Sequence, residues 1–156
     1  MNATELFFDT IRKGLNDRLE TQIENNPEIV NAKDARGFTP LIFATYFDNK
    51  EASEILLKYN AEVDVKDASG NTALIGVSFK GNIQIAELLL NNGADINARN
   101  NADVTPLIFA TMYQQEEIVK FLLKKGADKS LKDGFEKSAL FYAEEKNFQK
   151  IATLLK

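Results

Sequence analysis

Apolar residues in this chain come in paired short clusters separated by polar stretches, and the whole pattern recurs. Leu41, Leu74, Leu107 and Leu140 lie 33 residues apart. Thr39, Thr72, Thr105 and Ser138 precede them by two positions, and Ala44, Val77, Ala110 and Ala143 follow by three. A second apolar cluster comes later in each period: Ile55-Leu56, Leu88-Leu89, Phe121-Leu122 and Leu154-Leu155. Asn60-Ala61-Glu62, Gly93-Ala94-Asp95 and Gly126-Ala127-Asp128 close the first three periods. A fixed period of this length marks a repeat architecture, in which each unit buries a face against its neighbour.

One period predicts two helices and a turn. Thr39 or Thr105 suits an N-cap, and Pro40 or Pro106 the first helical turn. The first, inner helix runs to about Phe47 in the first unit. Breaks at Asp48-Asn49, Gly81-Asn82 and Gln114-Gln115 lead into a second helix. There Glu51, Glu116 and Glu117 come early and Lys58, Lys124 and Lys125 late, so charge follows the helix dipole. Gly93 and Gly126 supply a left-handed cap, and Asn60 does so at some steric cost. A polar stretch with Asp34, Asp67 and Gly70 turns the chain into the next unit.

This pattern resembles the ankyrin repeat, through its 33-residue period and its Thr-Pro-Leu helix start. The resemblance covers nearly the whole chain. It implies an all-α solenoid of stacked helix-turn-helix units joined by β-hairpin-like loops, with a concave inner face. On that basis residues 1–156 form one domain of five units. About 5–33 is an N-terminal cap, 34–66, 67–99 and 100–132 are full units, and 133–156 is a C-terminal cap. Three departures from the family pattern matter. Ile42, Ile75, Ile108 and Phe141 stand where the family has His, so apolar stacking must replace its hydrogen bonds. Asp103 stands where Gly37 and Gly70 occupy the turn, which predicts a distorted hairpin before Thr105. Glu136-Lys137 replaces the Gly-containing turn of the last unit, with Gly134 two positions earlier.

Composition narrows the chemistry. The 44% hydrophobic and 27% charged residues fit a compact folded chain rather than a disordered tail. Cys and His are both absent. Thiolate and imidazole metal sites, Ser-His triads and the usual neutral-pH proton shuttle are therefore excluded. There is no Walker A loop and no Gly-x-Gly-x-x-Gly. Glu116/Glu117 and Glu144/Glu145 are adjacent in sequence, so on a helix they diverge by about 100° and do not form an acid/base pair. A net charge of −4 argues against nucleic acid as a partner. The longest apolar runs, about five residues, fall far short of the roughly 20 needed to cross a bilayer. With no signal-peptide pattern at the N-terminus, the cytoplasm is the expected compartment.

Candidate function rests on the inner helix. At 100° per residue, Leu41, Ala44 and Thr45 share the face toward the second helix, while Phe43 and Tyr46 point the other way. Their equivalents form two columns, Phe43/Gly76/Phe109/Tyr142 and Tyr46/Phe79/Met112/Glu145, with Phe47, Lys80, Tyr113 and Lys146 beside the second. The first column reads as packing between units, the second as an exposed aromatic row suited to binding. The expected function is recognition of a protein partner, as adaptor or inhibitor, without catalysis. The contact residues would be Tyr46, Phe47, Phe79, Lys80, Met112 and Tyr113, with Arg36, Phe38 and Asn71 at the hairpin tips. Arg36 and Lys80 would orient the partner. No catalytic residue, metal ligand or cofactor is assigned, and a monomer is expected. Gly76 leaves a gap in the first column, so the alternative is a concave notch there that binds a small molecule or a peptide ligand.

Overall fold

In the computed structural model, which describes residues 1–156, ten α-helices follow one another without a β-sheet. They are α1 (Ala3–Arg12), α2 (Leu19–Asn25), α3 (Pro40–Tyr46), α4 (Lys50–Lys58), α5 (Ala73–Lys80), α6 (Ile83–Asn91), α7 (Pro106–Met112), α8 (Glu116–Lys124), α9 (Ala139–Glu145) and α10 (Gln149–Leu155). Short 3₁₀ turns, Asn16–Arg18 and Pro27–Asn31, flank α2. The odd-numbered helices stack in one row, α1 on α3, α3 on α5, α5 on α7 and α7 on α9. The even-numbered helices form a second row behind them, each packed on its own partner and on the next pair.

The helix starts follow from local chemistry. Thr39, Thr72, Thr105 and Ser138 each accept a hydrogen bond from the backbone N–H three residues on, at 3.2–3.3 Å. That satisfies one of the donors a helix start leaves unpaired. Between inner and outer helices the chain turns through a left-handed residue: Asp48, Gly81, Gln114 or Asn147. After the outer helices Asn60, Gly93 and Gly126 do the same. Leu41, Leu74 and Leu107 from the inner row meet Leu56, Leu89 and Leu122 from the outer row in one continuous apolar core. Ile42, Ile75 and Ile108 are buried between neighbours, whereas Phe141 is exposed.

Each loop between pairs is organised by one side chain. Asp34 Oδ1 accepts the N–H groups of Arg36 and Phe38, Asp67 Oδ1 those of Ser69 and Asn71, and Asn100 Oδ1 those of Ala102 and Val104. Asp133 Oδ1 accepts from Phe135 and Lys137. Successive hairpins are then joined through Ala68 N–H to Arg36 O, Asn101 N–H to Ser69 O and Gly134 N–H to Ala102 O. The hairpin before Thr105 is not distorted. Asp103 adopts φ 59° and closes the same turn as Gly37 and Gly70, because the Asn100 side chain and the Asn100–Val104 backbone pair hold it. In the last hairpin Glu136, at φ 60°, takes the left-handed position, and Gly134 instead lies against Ala102. At Gly70 the close approach is severe: a Cβ would lie 2.6 Å from the Asn101 backbone nitrogen.

The last helix pair carries a buried polar pair. The Tyr142 hydroxyl donates to Asp133 Oδ2. Burial and this hydrogen bond together push the phenol up to about 12. Burial also works against ionisation of Asp133, but the Tyr142 hydroxyl and the Lys137 and Phe135 N–H groups outweigh it and hold the carboxyl below its usual range. The folded-state phenol lies above its unfolded value of about 10. Its contribution is therefore complete below that pH and is lost as pH rises through about 12. Subtracting the tyrosinate absorbance titration of Tyr142→Phe from that of the native chain should give one phenol near 12, and Tyr142→Phe should cost about 1–2 kcal/mol of stability. A difference curve centred near 10 would contradict the pairing.

Candidate functional site

The inner row brings two aromatic groups to one face. On the N-terminal side Phe43 packs edge-on to Phe8, with ring centroids 5.2 Å apart, and against Phe47 at 4.7 Å. Tyr46 meets Phe47 at 5.5 Å. On the C-terminal side Phe79, Phe109 and Tyr113 form a triangle with separations of 4.6, 5.1 and 6.0 Å. Edge-to-face contacts of this kind add stability beyond the area they bury.

Gly76 lies between the two groups. A Cβ built on it meets no heavy atom within 4 Å. The space opens into a cleft of about 210 Å³, walled by Phe38, Tyr46, Phe79, Phe109 and Tyr113, with Asp67 and Asn71 contributed by the hairpin. A larger hollow of about 730 Å³ lies between α1 and the first hairpin, but it is wide open to solvent.

The two cations beside the face, Arg36 and Lys80, are held by the chain itself. The Arg36 guanidinium binds Asp34 Oδ2 through Nε at 3.1 Å and Nη2 at 2.8 Å, and stacks 4.3 Å from the Phe38 ring centroid. Burial disfavours the Asp34 carboxylate, yet the bonds from Arg36 and from the Phe38 N–H hold its pKa below the usual value. Lys80 Nζ sits 5.1 Å from the Tyr46 ring centroid and 3.5 Å from Asp48 Oδ2. Asn71 Oδ1 accepts from Asn100 Nδ2 at 3.0 Å. No three His, Cys, Asp or Glu side chains converge as a metal site. No helix is long and apolar enough to cross a membrane.

The family model described as Ankyrin repeats (3 copies) matches residues 7–100 and again 98–156. The chain belongs to the ankyrin-repeat family. Ankyrin repeats are general protein–protein interaction modules, and the family is typically non-catalytic. Comparison with the curated proteins finds no match.

In this ankyrin-repeat chain the sequence-selected residues fall into three groups. Tyr46, Phe47 and Tyr113 are 41%, 47% and 49% exposed. Phe79 and Met112 are half-buried, Phe79 because it packs on Phe109 and Tyr113. At the hairpins Phe38 and Asn71 are half-buried, while Arg36 and Lys80 are exposed but engaged as described. The two cations differ from the sequence expectation, since each already holds an aromatic ring and a carboxylate of this chain. Phe43 and Tyr142 are buried. Phe109, in the same column, was not selected from sequence, yet it walls the cleft because its neighbour Gly76 has no side chain. Asp67 also lines the cleft, beyond the turn role its sequence position implies.

Glycine costs a helix interior about 1 kcal/mol relative to alanine. With open space beside it, Gly76→Ala should therefore raise the unfolding free energy by about 1 kcal/mol in a denaturant titration. A loss of stability would mean that the cleft is closed in solution.

Proposed function

We propose that the chain recognises a protein partner through the concave face of α3, α5, α7 and α9 and the adjoining hairpin tips, without chemistry of its own. On this reading it is a monomeric adaptor or inhibitor, arrayed as full units 34–66, 67–99 and 100–132 between terminal caps. The carrying observation is the exposure of Tyr46, Phe47 and Tyr113 along the inner row, with Tyr46 and Tyr113 walling a cleft that Phe38, Phe79 and Phe109 also line. Rigid aromatic side chains supply buried area at low entropic cost, and they dominate binding hot spots. Phe79, Met112, Phe38 and Asn71 complete the surface. Arg36 and Lys80 act by holding Phe38 and Tyr46 in place more than by reaching toward the partner.

The second reading, a ligand in the Gly76 notch, is favoured by the cleft itself. Its volume supports a small occupant: about 210 Å³ is below the roughly 300–1,000 Å³ of small-molecule sites. A single side chain of a larger partner suits it better than a cofactor-sized molecule.

A Tyr46/Phe79/Met112→Ala variant with native-like circular dichroism, used as bait beside the native protein, tests the face. Prey that binds the native protein should be lost, or its Kd raised at least about 30-fold, since two or more hot-spot truncations cost about 2 kcal/mol or more. Prey retained equally by both proteins would move the interface elsewhere.

A further inference from the structure

The four hairpins pose the same problem and solve it differently. Each is organised by one oxygen of Asp34, Asp67, Asn100 or Asp133. That leaves a second side-chain atom over. At Asp34 it is taken by the Arg36 guanidinium. At Asn100 the amide donates to Asn71. At Asp133 it is taken by the Tyr142 hydroxyl. Asp67 Oδ2 alone has neither a hydrogen-bond donor nor an ion-pair partner within the chain. The position that supplies the donor to Asp133 is Tyr142; the corresponding position for Asp67 is Gly76. Phe43 and Phe109 fill that position in the other two units without donating, so of the four only Tyr142 reaches the hairpin side chain; Gly76 leaves both the space and the Asp67 Oδ2 atom open to an outside group.

The rings show a matching pattern. Phe38 and Phe43 lie under Arg36, and Phe135, Phe141 and Tyr142 lie around Lys137. Tyr46 carries Lys80. Phe79, Phe109 and Tyr113 have no cation of this chain within reach. A carboxylate oxygen left to solvent beside rings that carry no cation, in a partly enclosed cleft, favours a cation over a neutral group, through a charge-assisted hydrogen bond and ring attraction together.

We infer that the cleft beside Gly76 receives an arginine or lysine side chain of the protein partner, its cationic head bound by Asp67 Oδ2 and its stem lying among Phe79, Phe109 and Tyr113. The inference rests on the partner-recognition reading above. The Arg36–Asp34–Phe38 arrangement shows the same chemistry completed within the chain.

The test is selection of a random peptide display library on the native protein, followed by fluorescence anisotropy with the most enriched peptide. The enriched sequences should share one Arg or Lys position. Asp67→Asn should weaken the peptide about tenfold or more. Its hairpin is expected to remain intact, because Asn100 performs the same backbone role with an amide. Replacing the basic residue of the peptide by Gln should weaken native binding at least as much, and should weaken Asp67→Asn binding much less, because only the ring attraction is left to lose there. Gly76→Tyr should fill the cleft as Tyr142 does in the last unit, abolish binding and raise the melting temperature by about 2–5 °C. Enriched peptides that share a Tyr or no basic residue, or that bind native and Asp67→Asn proteins alike, overturn the inference. If those peptides still lose affinity for Tyr46/Phe79/Met112→Ala, the concave-face reading stands without the cation. Peptides indifferent to both variants, or no enrichment at all, overturn both.

Discussion

Each helix pair in this chain has an apolar stripe on both flanks that only the neighbouring pairs can cover. Leu41, Leu74 and Leu107 satisfy the inside of each pair against Leu56, Leu89 and Leu122, and Ile42, Ile75 and Ile108 are buried in the three units on which a further pair stacks. Stability is therefore mainly a nearest-neighbour property, and long-range order is a by-product of repeating one interface. The exposure of Phe141 in the last inner helix shows the same rule from the other side.

Stacking fixes the distance between units, and the hairpins fix their direction. One Asp or Asn per unit folds its own loop, and a single backbone hydrogen bond then ties each loop to the next. This leaves one surplus side-chain atom per hairpin and one variable position on the facing inner helix. Arg36, Tyr142 and the Asn100–Asn71 pair are three ways of spending that freedom on the chain itself. The Gly76 unit does not. A repeat protein can therefore carry a site in one unit by omitting a contact that other units make, at no cost to the stacking.

The fold was legible in the sequence because its determinants are local. Thr and Ser caps, Pro at the first turn and the Leu columns act within a few residues of where they are read. The left-handed turns were legible where Gly93 or Gly126 marked them. At Asp103 the position was legible but pointed to a distortion, at Gln114 only a break showed, and at Glu136 only the missing glycine, because their φ values near +60° are imposed by the surrounding turn rather than by residue type. At the face, sequence placed Tyr46, Phe79 and Tyr113 together and read the gap at Gly76. It missed what crosses units. That Lys80 would lie over Tyr46, that Arg36 would be bound by Asp34, and that Phe109 and Asp67 would meet at the same cleft depend on side-chain directions between residues about 30 or more apart in sequence, or on competition among nearby partners.

The central claim is that Gly76 stands where a side chain would otherwise engage Asp67. A double-mutant cycle on stability measures it. Gly76→Tyr is introduced into the native chain and into the Asp67→Asn background, and each unfolding free energy is determined by denaturant titration. The account predicts that the tyrosine stabilises the native background more than the Asp67→Asn background, by about 1–2 kcal/mol, the worth of a hydrogen bond to a charged acceptor. Equal effects in the two backgrounds would contradict it, since the tyrosine would then be filling space without reaching Asp67.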